Sequence, residues 1–208
     1  MVNRKKESLM RRSYKDFKNI HKGEKVIVLG CGKSASLVKE MEPCLTIGVN
    51  DISRLVETDY LVVVNGRRDF TASRWPFVQN SVCKTIFSQL NIKKIPIRNR
   101  QNLVPIKLGK KSGTSLFTDS VDFSTTSPYM AVIIAAYLGF TEIGMLGVDF
   151  TNDHFFSKTG KHTLMKRFND IDQEFTALHL ALVKNGVDFF NLSPTSILSM
   201  PKKDHLLF

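Results

Sequence analysis

The sequence predicts an α/β fold, a mostly parallel sheet with helices on both faces. Three observations lead there. From residue 26 onward, short β-type runs alternate with helical or loop stretches, the order that a parallel sheet with crossover connections requires. Most of these runs are continuously apolar, as strands covered on both faces are. The length of 208 residues suffices for one well-buried core and falls short of two ordinary domains.

Taken in order, residues 1–25 read as a basic N-terminal arm, residues 26–200 as a single catalytic-sized domain, and residues 201–208 as a tail. Strands are expected at Val26 to Leu29, Leu45 to Val49, Tyr60 to Val64, Thr85 to Phe87, Ile143 to Leu146 and Val187 to Leu192. Between them, residues 91–124 mix Lys, Arg, Asn, Gly and Ser without clear periodicity, which reads as a basic loop region lying over the sheet. Ser127 followed by Pro128 is a helix start, and the apolar stretch Met130 to Leu138 ends at Gly139. That helix is apolar nearly all round, so burial is expected. A second helix from Asp170 to Lys184 aligns Ile171, Phe175, Leu178 and Leu182 on one face and stops at Asn185-Gly186. It reads as an amphipathic outer helix.

Composition narrows the class. With 42% hydrophobic and 24% charged residues, wholesale disorder is excluded. No apolar run approaches the roughly 20 residues of a membrane span, and the first 25 residues lack the apolar centre of a signal peptide. A cytoplasmic protein is therefore expected, in the host cytoplasm if the chain is phage-encoded. Cys31, Cys44 and Cys83 form no CxxC pair, so neither a disulfide framework nor a zinc cluster is indicated and no metal is expected. Of the net charge of +11, residues 1–25 contribute +6 and residues 91–111 contribute +7. Two such patches suit an acidic acceptor, DNA or an anionic glycan, although each alone reads more readily as solvated surface. Oligomerisation stays open.

The sharpest local signal is Val26 to Ala35, a buried strand running into the turn Gly30-Cys31-Gly32-Lys33-Ser34 and then a helix. Glycines let a backbone approach phosphate closely, and a helix N-terminus offers free N–H groups. The same spacing fits a GxGxxA dinucleotide turn with Asp51 as the ribose acid, so an NAD-dependent oxidoreductase is the alternative reading. Two further strands end in Asn50-Asp51 and Asn65, which an open parallel sheet brings to the edge where ligands bind. Turn chemistry alone also explains such residues. A fourth strand ends at Asp149, which either orients a catalytic partner or caps a turn, and the segment after it carries His154 and His162. Either histidine suits a general base, with His162 favoured for its place ahead of the outer helix and His154 suited to help the leaving phosphate.

Several stretches carry a family resemblance. Thr125-Thr126-Ser127-Pro128-Tyr129-Met130, Ala135 to Ile143, Gly147-Val148-Asp149-Phe150 and Phe189 to Ser196 resemble the C-terminal half of the small bacterial lipooligosaccharide sialyltransferases. With the glycine turn, Asn50 and Asn65, the matches run in order over most of residues 26–197. Similar strand and glycine patterns occur in motility-accessory flagellin glycosyltransferases, hydroxymethylpterin pyrophosphokinase-like proteins and phage homologues. The resemblance implies a Rossmann-like domain that uses a CMP- or UDP-linked sugar without a metal and inverts the anomeric centre. It puts Cys31 where the family has an asparagine near the phosphate, Asn50 and Asn65 near the nucleotide and reacting sugar, and Thr125, Thr126 and Ser127 around the donor. The family's two phosphate-binding tyrosines fall near Thr151 and Phe156, and its catalytic histidine falls on Asn169, with His162 the nearest histidine upstream. The expected acceptor is a hydroxyl, on a glycan or on a hydroxymethylated DNA base.

Overall fold

The computed structural model describes residues 12–90, 102–151, 153–158 and 163–208. In chain order the strands are β1 (Lys25–Leu29), β2 (Leu45–Val49), β3 (Tyr60–Val62), β4 (Ile86–Ser88), β5 (Leu103–Pro105), β6 (Lys107–Lys111), β7 (Ser120–Phe123), β8 (Glu142–Leu146), β9 (Asp153–His154), β10 (Ser157–Lys158) and β11 (Asp188–Asn191). The helices are α1 (Trp75–Gln79), α2 (Ser127–Leu138) and α3 (Phe168–Lys184). Seven strands form one parallel sheet in the order β11-β8-β1-β2-β3-β4-β5. The α/β fold, a mostly parallel sheet covered by helices on both faces, is thus the observed one.

The apolar runs have the cause the sequence suggests. In β1, Val26 and Val28 join the core beneath α2 and α3, while Ile27 and Leu29 point into a second core on the opposite face. That second core is closed by Trp75 and Val78 of α1 and by Ala35 of a 3₁₀ helix, Lys33–Glu40. Every residue of α2 except Pro128 is buried, and each large aliphatic side chain so buried contributes about 1.5–3 kcal/mol. The helix ends in a left-handed Gly139, φ +98°, whose N–H bonds back to Ala136 O. In α3 the expected residues Ile171, Phe175, Leu178 and Leu182 face the core.

The structure adds detail to four of these readings. The helix expected after the glycine turn is a 3₁₀ helix, Lys33–Glu40, closed by i to i−3 bonds such as Ala35 N to Gly32 O. The region 91–124 is not simply loop: residues 91–101 lie outside the described residues, but 102–123 hold β5 at the sheet edge and the parallel pair β6 and β7. Short strands give no periodic signal, and β6 is lysine-rich because it is half solvated. Residues 12–25 of the basic arm pack against the domain. Tyr14 stacks on Tyr137 with centroids 4.2 Å apart, and Phe17 is buried against Phe87. The tail also packs, with Lys202 bridging Asn191 and Phe208 nearly buried.

Candidate functional site

The chain builds β1 through β5 outward on one side of β1, then returns through α2 to place β8 on the other side. β1 and β8 therefore flank a topological switch point, where an open parallel sheet leaves a crevice beyond its carboxyl edge. A cavity of ≈ 470 Å³ lies there. Its wall includes the tips of β1, β2 and β8, the start of α2 and the β9 hairpin.

The two flanking turns are packed backbone to backbone. Gly30 N donates to Leu146 O at 2.8 Å and Gly32 N to Gly147 O at 2.7 Å. A Cβ on Gly30 would lie 2.3 Å from Gly147 O, and one on Gly32 would lie 2.5 Å from Asp149 Oδ2. These glycines are required by the protein's own close packing, and Gly32 also lines the cavity. Asp149, 1% exposed, accepts from Ser34 N at 2.8 Å and Ser34 Oγ at 2.5 Å. Ser34 Oγ in turn accepts from Gly147 N, as does Ser193 Oγ. Asp149 thus caps the Ser34 turn, and it also lines the cavity. Lys33 is exposed and does not line the cavity.

Asp51 also departs from its expected place. It is fully buried, and Arg74 Nε lies 3.0 Å from both of its oxygens, with Arg74 Nη2 bonding Oδ1 as well. A carboxylate so engaged does not face a ribose. Cys31 sits beside it on the cavity floor, its Sγ 3.6 Å from Asp51 Oδ1 and 3.5 Å from Val49 O. Burial, with the Asp51 charge adding to it, pushes that thiol far above its usual range, so it is a neutral, unreactive group.

Asn50 and Asn65 do come together as strand-tip residues. Asn50 has φ 55°, a left-handed conformation that asparagine tolerates, so its backbone makes the turn while its side chain reaches the cavity. Its Oδ1 accepts from Asn65 Nδ2 at 3.3 Å and from Ser127 Oγ at 3.3 Å. Among the described residues this leaves Asn50 Nδ2 as a donor and Asn65 Oδ1 as an acceptor without partners. Thr125, Thr126 and Ser127 line the same wall, where α2 begins with no side-chain cap on its first N–H groups, and the buried Thr125 Oγ1 has no partner. Uncapped helix N-termini attract negative charge and hydrogen-bond acceptors.

The β9–β10 hairpin closes one side. Gly32 bridges His154, and Phe155 N donates to Cys31 O at 3.2 Å. The His154 ring lines the cavity and packs on Phe156, 5.2 Å between centroids. His162 lies outside the described residues, as do Lys93, Lys94, Arg98 and Arg100 of the basic patch 91–111. Among the described residues no group of three or more His, Cys, Asp or Glu gathers as metal ligands would, and no helix is long and apolar enough to cross a membrane. Sequence reasoning missed Arg74 and the cavity-lining Asp69, Phe150 and Leu164. A signal for Arg74 existed, because a buried strand-tip acid needs a cationic partner, but Arg67, Arg68 and Arg74 all follow Asp51 and spacing does not choose among them.

Sheet order, switch-point cavity and strand-tip polar groups together define a Rossmann-like α/β fold with a crevice lined by polar groups. No family model matches this sequence, and no curated protein does. Among solved structures it is similar to a MAf glycosyltransferase from Magnetospirillum magneticum AMB-1, 15% identical with a TM-score of 0.56 over 95% of this chain and 38% of that one. It is also similar to the sialyltransferase CST-II in complex with a trisaccharide acceptor and CMP, 17% identical, TM-score 0.52, covering 88% of this chain and 87% of that one. A CstII structure from Campylobacter jejuni in complex with cytidine-5'-monophosphate gives 16% identity and a TM-score of 0.51, over 89% and 87% of the two chains. This chain thus spans little more than a third of the first of these. At such identities the likeness establishes a shared fold.

Proposed function

We propose that this chain is a nucleotide-sugar-dependent glycosyltransferase whose donor lies in the cavity between β1 and β8. The observation that carries the proposal is the Asn50–Asn65–Ser127 cluster, which offers one unpartnered amide donor and one amide acceptor beside the uncapped start of α2. Paired donors and acceptors suit ribose hydroxyls or a base edge, and free helix N–H groups suit the phosphate. The solved structures of this fold that hold CMP favour a CMP-linked donor, with a UDP-linked one as the next choice, and the proposed reaction uses no metal.

In the transfer, the acceptor hydroxyl oxygen attacks the anomeric carbon as the bond from that carbon to the phosphate oxygen breaks. The hydroxyl proton passes to a histidine, and the nucleotide leaves with the bonding pair. One displacement of this kind inverts the anomeric centre. His154 is the histidine placed in the cavity wall among the described residues, and His162 is the candidate favoured from sequence. For the acceptor we infer an acidic partner, a glycan or a hydroxymethylated base in DNA. Lys107, Lys110 and Lys111 are exposed on β6, and Lys111 pairs with Phe123, two residues before the cavity residue Thr125.

The oxidoreductase alternative has weaker support, because Asp51 is occupied by Arg74 and the N–H of Ser34 by Asp149. Calorimetric titration with CMP, UDP, GDP and NAD tests the choice. Binding of a pyrimidine nucleotide with no heat from NAD is the expected result, and NAD binding without nucleotide-sugar binding would reverse it.

A further inference from the structure

Among the described residues, Arg74 is the only lysine or arginine that lines the cavity. Asp51 holds it by one edge, through Nε and Nη2. Nη1 makes no hydrogen bond to an oxygen among the described residues, Nη2 carries a second N–H, and the Cys31 thiol is the guanidinium's other side-chain neighbour. The rings of Phe70 and Phe156 flank the guanidinium with centroids 5.6 Å and 5.5 Å from Cζ. Asp51 is wholly buried while the Arg74 side chain is 19% exposed. The ion pair is therefore a fixed dipole with its positive end toward the cavity.

A guanidinium braced in this way is an oriented receptor, because its remaining N–H groups keep the planar fork that matches two oxygens of a carboxylate or phosphate. The neutral Cys31 thiol on the floor beside it adds no competing charge. We propose that Arg74, braced by Asp51, is a specificity-determining residue that holds an anionic group of the donor, either a phosphate or the carboxylate of an acidic sugar. The assignment rests on the reading of this cavity as a nucleotide-sugar site.

The test compares ligands with and without one anionic group: cytidine with CMP, uridine with UMP, and CMP-N-acetylneuraminate with its methyl ester. Affinities are measured by calorimetry for the parent, for Arg74→Lys and for the double variant Asp51→Asn/Arg74→Gln, which removes both buried charges together and so strands neither. The double variant is expected to lose about tenfold to a hundredfold of the preference for the charged member of one pair, with nucleoside affinity retained. Arg74→Lys, with charge but no fork, is expected to fall between. Loss in the CMP or UMP pair assigns the phosphate, and loss in the ester pair alone assigns the carboxylate. Preferences unchanged in all pairs overturn the assignment while leaving the nucleotide site standing, and if the double variant does not fold, unchanged preferences in Arg74→Lys have the same force. A parent that binds none of these ligands overturns the nucleotide reading itself, and the assignment with it.

Discussion

At the scale of single residues, the side chains that matter divide by the distance along the chain over which they find their partners. Asn50 and Asn65 were legible because each is a polar residue at the end of an apolar run, and a parallel sheet carries all such ends to one edge. The pairing of Asp51 with Arg74 and of Ser34 with Asp149 was not, since these contacts span 23 and 115 residues and leave no local pattern. His154 was legible as a candidate, and its place in the cavity wall argues a prediction. His154→Ala should lower hydrolysis or transfer of a CMP- or UDP-linked sugar by about 10²–10⁴-fold with donor affinity intact. The same loss in His162→Ala, with His154→Ala active, would hand the role to His162. Cys83 gives a pH prediction. Burial pushes its thiol from 9.0 up to about 11, so the folded state holds the proton that the unfolded state releases first. The stability linked to it is full below pH 9 and falls between about pH 9 and 11, by roughly 2–3 kcal/mol in all. Urea midpoints across that range should fall less steeply for Cys83→Ala than for the parent.

Elements read from the sequence fared according to how much of their signal is internal. α2 carries its own start and stop, Pro128 and Gly139, and it appears within a residue of the expected bounds. Gly139 is required twice over: its φ is +98°, and a Cβ there would lie 2.9 Å from Asn19 Cα. Gly139→Ala should therefore cost about 1–3 kcal/mol in chemical denaturation, with hydrogen exchange speeding first at the end of α2. β5, β6 and β7 lack internal signal because three to five residues, half of them solvated in β6, do not establish a period. The exposed lysines of β6 argue a functional prediction instead. Replacing Lys107, Lys110 and Lys111 by glutamine should weaken binding of DNA or of an anionic glycan and flatten its salt dependence, with nucleotide affinity little changed. Identical salt slopes for parent and variant would show that these lysines are merely solvated.

At the scale of the whole molecule, strand order decides where chemistry can occur. The alternation of apolar runs with helices made the parallel sheet legible, but not the order β11-β8-β1-β2-β3-β4-β5, since apolar strands do not announce their neighbours. That order sets β1 beside β8, opens the crevice between their tips, and brings Asn50, Asn65 and the start of α2 to its wall. The glycines at Gly30 and Gly32 belong to the seam that holds those tips together, so the ligand's contacts are expected from the side-chain cluster opposite the seam. A crystal structure of the protein soaked with CMP, and in parallel with UDP, tests this most directly. The account predicts nucleotide density in the β1–β8 crevice, with ribose or base within hydrogen-bond distance of Asn50 Nδ2 and Asn65 Oδ1. Nucleotide bound at another surface, with the crevice empty at saturating concentration, would contradict it.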